Sequence, residues 1–480
     1  MRLIHSSPSD TAGSQGLPPT APFPSVVQTA VCMWRPLEYL EWCHHWIGPR
    51  FTMKPVGKPP LVFLADPSEI RAVLMAPLAI LHAGVGATVT APLFGDTSFM
   101  LREEDERING RDAIMPAFHR QAVLGYTDMV SDLASRAVGS WPHDTPTAIH
   151  PRVCSLTLTV MLRAVFGAGD DRTIERLRDL MLSMLSVTAS LLLHQPPLRH
   201  VPGWRRTWSR FVRNREGVDE LIASIIARRR RAGGTGSDML DMLLSAARLD
   251  GLPMTAEELR DNLVSVIIAG HETTASAVAW AMQLLAHNPH VQDRLAAEID
   301  DGQSDVYLQA TVNEVLRHRP VFLFAAPRAV TQPIEIGGWT YRPPAQLLGC
   351  IYLMHHDPTL FPDPHSFRPE RFLDSPSRAS HVWLPWGGGR QRCPGRHLAL
   401  LELRTILRTV LRGLRIMPAG PIIERARWRS VIVTPHAGGR VVLRERAATR
   451  RAPEGGNVPN HGVFGAKCSD QNVVFKTGTQ

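Results

Sequence analysis

One cysteine closes the run Pro385-Trp386-Gly387-Gly388-Gly389-Arg390-Gln391-Arg392-Cys393-Pro394-Gly395-Arg396-His397. Consecutive glycines allow positive φ and the close approach of a flat ligand, so this stretch reads as a tight loop. Pro394 suits a first helical residue, which has no amide bond to lose. From Ala399 onward, Leu403, Ile406, Leu407, Val410, Leu411 and Leu414 recur at helical spacing, with a break near Gly413. Cys393 therefore stands at a helix N-terminus. Free amides, the helix dipole and Arg390, Arg392 and Arg396 all favour its thiolate, which attacks electrophiles or binds metals. The plain alternative is a small buried hydrophobe. A nucleophile needs a base and a metal ligand needs room for its cofactor, and the residues of this run leave all three readings open.

Three further sets could do chemistry. A helix is expected from Thr255, which forms a capping box with Glu258, to Asn288, where Pro289 stops it. In its middle lies Ala269-Gly270-His271-Glu272-Thr273-Thr274. There Gly costs about 1 kcal/mol against Ala and Thr is a poor helix former. Either stability is exchanged for space and hydroxyls, or the helix is a locally bent core element whose Thr hydroxyls bond back to carbonyls. Arg107 and Arg111 share a helical face and could grip a carboxylate pair, or could belong to a solvated face with Glu103, Glu104, Asp105 and Glu106. Glu314 and Arg317 lie three apart on a helix from about Asp305 to Arg319, a spacing common among weak surface pairs.

The elements that must position these residues read as follows. Residues 1 to about 35 are rich in Ser, Pro, Thr and Ala and are expected to form a loose leader. Leu61 to Ala65 reads as a buried strand, and Asp66-Pro67 caps the helix after it. Ala76 to Gly95 reads as a flexible loop. Ser155–Phe166, Ile174–Leu193 and Val218–Ile226 have helical period, and short strands are expected at Ile334–Gly338, Leu347–Leu353, Val431–Thr434 and Val441–Leu443. Residues 446–480 read as a disordered tail.

Composition narrows the classes. Six scattered cysteines without a C-x-x-C pair point to no zinc site or disulfide framework, and a reducing cytosol fits. The net charge of +9 comes almost wholly from arginine, with lysine only at 54, 58, 467 and 476, and carries no nucleic-acid signal. No uninterrupted apolar stretch reaches the ~18 residues of a membrane span, and no signal peptide is visible.

Taken together, residues from about Leu61 to Leu443 resemble the cytochrome P-450 family of haem-thiolate monooxygenases. Ala269 to Thr274 matches the family's distal-helix motif. Glu314 and Arg317 match its Glu-x-x-Arg, and Arg371, in Pro369-Glu370-Arg371-Phe372, matches the third member of that triad. Gly389, Cys393 and Gly395 fall on the haem-loop pattern, with Trp386 in place of Phe and Gln391 in place of the usual Arg or His. Arg107 replaces a frequent His or Trp, Arg111 follows as expected, and Arg328 matches another propionate ligand.

The resemblance implies a mainly α fold with small β-sheets, a catalytic domain over 36–445, and haem b between a long distal helix and the Cys-loop helix. It implies Cys393 as the axial thiolate, which favours O–O cleavage. Glu272 and Thr273 would relay protons, Gly270 would open the groove for O2, and Glu314, Arg317 and Arg371 would be structural. A lipophilic substrate is implied near Ala76–Met100, Leu180–Trp204, Val264–Ala269, Val321–Ala326 and Val433, with Leu191, Leu192, Leu193, Ile267, Phe322 and Phe324 among the apolar residues. Electrons would come from NAD(P)H through a reductase and a ferredoxin or flavodoxin, in the cytoplasm and without a membrane anchor. A peroxide-using variant and a haem-binding protein without turnover are the alternatives.

Overall fold

The computed structural model describes residues 14–82, 91–102, 104–167, 170–186, 200–233, 238–246, 250–325, 327–373, 382–389, 392–429 and 431–446, and the side chains of 14, 15 and 104–107 fall outside that set. The first half runs β1 Ser14–Gln15, α1 Ser25–Trp34, α2 Pro36–Ile47, β2 Arg50–Met53, β3 Leu61–Leu64, α3 Pro67–Met75, β4 Leu81–His82, α4 Ala91–Phe94, α5 Glu104–Phe118, α6 Arg120–Leu124, α7 Thr127–Gly139, β5 Thr147–Ala148, α8 Ile149–Phe166 and α9 Asp171–Leu185. The second runs α10 Pro202–Ala232, α11 Met239–Ser245, α12 Ala256–His287, α13 Pro289–Asp301, α14 Val306–His318, β6 Arg328–Val330, β7 Ile334–Ile336, β8 Trp339–Tyr341, β9 Gln346–Gly349, α15 Ile351–His355, α16 Arg396–Gly413, β10 Leu414–Pro418, β11 Ala426–Arg429, β12 Ile432–Pro435 and β13 Arg440–Glu445.

The centre is α12. Its 32 residues span ~48 Å, and the Thr255–Glu258 capping box starts it as expected. Leu259 and Leu263 to Ile268, then Thr274 to Ala286, are buried, so the helix is apolar around most of its circumference and packs along α8. By length and composition α12 could cross a membrane, but here it is buried in protein. A five-stranded sheet, ordered β2-β3-β9-β6-β4, stands beside the helices. Strand β3 alternates as its sequence dictates. Val62 and Leu64 enter a core with Ile70, Leu81 and Leu347, while Phe63 turns the other way and stacks on Phe51 at 5.0 Å.

Several expectations change. The loose leader gives way at Ser14, where β1 pairs with β8, and Ser25–Trp34 is helical. The Ala76–Gly95 loop contains β4 and α4, with 83–90 outside the described residues. Strand β9 ends at Gly349, because Ile351–His355 turns helical. The helix after Cys393 begins at Arg396, with Pro394 and Gly395 in the preceding turn. The compact unit holding these elements ends at Glu445, and the expected tail lies outside the described residues from 447.

Candidate active site

The Cys393 loop is held by its backbone. The amide of Cys393 donates to the Trp386 carbonyl at 2.8 Å, and that of Gly387 donates to the Leu384 carbonyl at 3.0 Å. Gly387 and Gly389 have φ of 67° and 60°, where side chains are disfavoured. The glycines serve a neighbour as well: a Cβ on Gly389 would lie 2.8 Å from the Leu74 carbonyl oxygen, and one on Gly388 would lie 2.9 Å from Leu74 Cδ1. Their small size thus lets α3 close on the loop, a protein contact where the sequence pointed to a flat ligand. Gly395 has only ordinary contacts in the Cβ direction, at 3.9 Å to Phe118 and 4.0 Å to Cys393 Sγ.

Cys393 keeps accessible surface although burial is the main influence on its thiol, pushing it up. A sulfur set deep yet exposed faces open internal space, which a buried small hydrophobe would not. Against burial, the amides of Gly395 and Arg396 donate to the sulfur, and the guanidinium groups of Arg111 and Arg396 favour the thiolate. Arg111 also donates to the Arg392 carbonyl, so it pins the loop directly. Arg328 is buried on β6. Arg107 falls on α5 with its side chain outside the described residues, as are Arg390 and Gln391 entirely.

The second candidate element is the middle of α12, a helix that packs against α16. Ala269 is exposed and Gly270, Glu272 and Thr273 are partly so, although the helix is buried on either side of them. Those positions form one helical face, and it is open. Thr273 Oγ1 donates to the Ala269 carbonyl at 2.8 Å and Thr274 Oγ1 to that of Gly270 at 3.1 Å. Both readings of the motif therefore hold at once: hydroxyls bonded back to the helix, and space in front of it. Gly270 also packs closely: a Cβ there would lie 2.4 Å from Met161 Sδ of α8, so its small size lets the two helices approach.

Behind this face lies a partner that the sequence did not reveal. Glu272 forms an ion pair with Arg429 of β11, 157 residues further along the chain. His150 and His271 are buried in the same cluster. Burial and then the Arg429 charge push His150 down to about 3, and burial lowers His271. Cys154 is pushed up to about 12 by burial and by Glu272. The His271 carbonyl accepts from Thr157 Oγ1 at 2.9 Å, which fixes α12 to α8.

Between α12 and α16, which pack together, stands Glu402 of α16, another residue the sequence reading passed over. It is buried, burial holds its carboxyl well above the usual range, and nearby Thr274 opposes that shift. Glu402 lies six residues, ~9 Å, along α16 from Arg396, and Cys393 precedes that helix by three residues. A charged residue between Leu401 and Leu403 on an apolar helical face was the available signal. The helix carrying Glu314 is locked from below. Arg317 bonds Glu314 at 2.7 and 2.9 Å and the carbonyls of His355 and Pro364 at 2.8 Å each, and Arg371 reaches Glu314 at 3.1 Å. Glu314 and Arg317 are fully buried, so this is no surface pair.

The apolar residues divide. Ile267 and Val264 are buried, and Val264 lines a small cavity with Leu93, Phe94 and Met184. Val433 is buried too, and its carbonyl accepts from Ser276 at 2.7 Å and Trp280 at 3.2 Å. Phe322 is exposed, and Phe324 is partly exposed beside Phe63 and Trp428 at 5.8 and 5.6 Å. Leu191 to Leu193 lie outside the described residues.

A deep cysteine sulfur with amide donors, an open helical face carrying an acid and an alcohol, and buried or loop-pinning arginines are a donor set that fits haem. Comparison with known proteins agrees. The sequence pattern of the family described as Cytochrome P450 matches residues 17–441. Cytochrome P450 135B1 of Mycobacterium tuberculosis is 34% identical over 440 residues, covering 90% of this chain and 92% of its own. Cytochrome P450 135A1 of the same organism is 34% identical over 439 residues, covering 89% and 95%. Among solved structures, a cytochrome P450DA heme domain superposes with a TM-score of 0.78 at 21% identity, covering 90% of this chain and 98% of that one. The cyanobacterial CYP120A1, solved with retinoic acid, gives 0.77 at 21% identity, covering 90% and 100%. The chain belongs to the cytochrome P450 family of haem monooxygenases.

Proposed function

We propose that the protein inserts one oxygen atom of O2 into a lipophilic small molecule in the cytoplasm, drawing electrons from NAD(P)H through a reductase and a ferredoxin or flavodoxin. The observation that carries this reading is the open Ala269–Thr273 face on an otherwise buried helix that packs against α16, the helix following Cys393. Haem b would be held by Cys393 and would supply the oxidising chemistry when bound. Arg328 and, with its loop contact, Arg111 are the cations proposed to meet the propionates, with Arg107 as a third.

The chain's own work is proton supply and exclusion of water. Thr273 Oγ1 donates a hydrogen bond to the Ala269 carbonyl and retains acceptor capacity toward the open side. Glu272 stands one residue away and is charge-paired with Arg429, which is itself partly exposed. We assign Glu272 and Thr273 as the relay, with Arg429 holding the carboxylate between solvent and hydroxyl. Phe322 and Phe324 give the substrate an apolar wall, and the retinoic acid in the cyanobacterial structure is a ligand of the proposed lipophilic class. Arg392 and Arg396 on the proximal side suit an acidic electron donor.

The test is NAD(P)H oxidation with ferredoxin and its reductase across lipophilic compounds first selected by a spin-state shift. Oxygenated product matching NAD(P)H consumed is expected. A Thr273→Ala variant that stayed fully coupled would remove the relay role.

A further inference from the structure

We propose that α1, the end of α2 and the turn after β2 form a docking face for a membrane surface that contains anionic lipid. Helix α1, Ser-Val-Val-Gln-Thr-Ala-Val-Cys-Met-Trp, carries no charged residue. Its polar side chains are used inward or sideways. Gln28 is buried, donates to the Ala21 and Phe23 carbonyls at 3.1 and 2.7 Å, and accepts from the Lys54 amide at 3.0 Å. Thr29 donates to Ser25 and accepts from the Val56 amide at 3.2 Å. What is left outward is apolar: Val26 is 67% exposed and Trp34 84%, with Phe23, Val27, Val31 and Met33 exposed between them.

The strip continues onto α2. Phe23 meets Trp42 with ring centroids 5.0 Å apart, and Trp46, 64% exposed, is one turn beyond Trp42 on the same face of α2. An apolar ridge thus runs from Trp46 past Phe23 and along the ~15 Å of α1 to Trp34. Indole rings at both ends of an aliphatic strip suit the headgroup boundary, where one side of the ring is wet. The rim is basic. Lys54 and Lys58 are exposed in the turn bonded to Gln28 and Thr29, and Arg35 caps the far end, facing Glu38 at 3.5 Å. Only four of the chain's 53 basic residues are lysines, and both of those among the described residues stand here. A convex apolar ridge with a basic edge is the pattern of an interfacial helix drawn to anionic lipid, whereas a protein partner would have to supply a matching groove.

The full-length haem-loaded protein would be sedimented with vesicles of phosphatidylcholine alone and with phosphatidylglycerol added. Pelleting with the anionic vesicles is expected, weakening as salt rises. The Val27→Asp/Trp34→Asp double variant should bind at least about tenfold more weakly, and Lys54→Glu/Lys58→Glu should reduce mainly the salt-sensitive part. Haem content and the carbon monoxide spectrum of each variant report that the fold is kept, since all four positions are on the surface. The proposal is overturned by absence of vesicle binding, by equal binding of the double variant, or by a lipid-free dimer that Val27→Asp/Trp34→Asp dissolves. That last outcome would assign the face to a second copy of the chain.

Discussion

The two walls of the site are built by opposite means. On the Cys393 side, a loop is shaped by backbone: positive φ at Gly387 and Gly389, the Trp386 carbonyl on the cysteine amide, and amides of Gly395 and Arg396 at the sulfur. On the α12 side, the backbone is an ordinary helix and side chains do the shaping. Met161 fills the place beside Gly270, Thr157 holds the His271 carbonyl and Arg429 pairs Glu272. Backbone shaping leaves a signature within a dozen residues. Side-chain shaping draws on partners from anywhere in the chain.

The comparison can be broken at several points, and the largest effect belongs to the sulfur. Cys393→Ala should abolish the red-shifted Soret band of the reduced carbon monoxide complex, whereas Thr273→Ala should keep the band and lose coupling. An unchanged spectrum in Cys393→Ala would sink the ligand assignment. Next comes the support under the site. Arg317→Ala leaves the fully buried Glu314 without its main partner, and a loss of ~3–5 kcal/mol in denaturant unfolding is expected, accompanied by haem loss.

Smaller effects separate the two kinds of wall. Gly270→Val should cost ~1–3 kcal/mol through overlap with Met161, and Met161→Ala in the same chain should restore part of it because a side chain can be removed. Gly389→Ala opposes a backbone oxygen and a φ of 60°, so no Leu74 substitution should rescue it. Equal rescue at both glycines would erase the distinction. Arg429→Ala should leave the carbon monoxide spectrum intact while changing coupling several-fold, since Glu272 loses its ion-pair partner.

The gentlest test is acid. His150 and His355 are both pushed down to about 3 by burial, so between pH 3 and ~6.5 the unfolded chain binds protons that the folded chain does not. Their contribution is complete above ~6.5 and falls away as pH drops toward 3. The urea midpoint should therefore decline below pH 6.5, and His355→Gln should flatten that slope without altering the α12 wall. A midpoint independent of pH over this range would contradict both burials.

Much of this was legible before any coordinates. The Thr255–Glu258 box, the Asp66 cap whose side chain accepts from the Ser68 and Glu69 amides, and the alternation of β3 follow from interactions among neighbours in sequence. So does the turn before α16. The Glu314–Arg317 pair was visible as a spacing, but its burial was not, because the carbonyls that satisfy Arg317 come from His355 and Pro364. The α1 helix was missed altogether: its Ser, Thr and Pro surroundings read as coil, and its polar residues are satisfied by Ala21, Phe23 and the turn after β2.

Residue types and short spacings by themselves placed a cysteine at a helix start, a Gly-His-Glu-Thr-Thr run and the long helix that carries it, since each depends on contacts within a turn or two of chain. The tertiary structure alone decided what those residues answer to: Met161 beside Gly270, Arg429 on Glu272 and Leu74 against Gly389. The reason is physical. Charge pairing, close packing and burial act through space, and the chain brings together residues whose separation in sequence carries no record of the meeting.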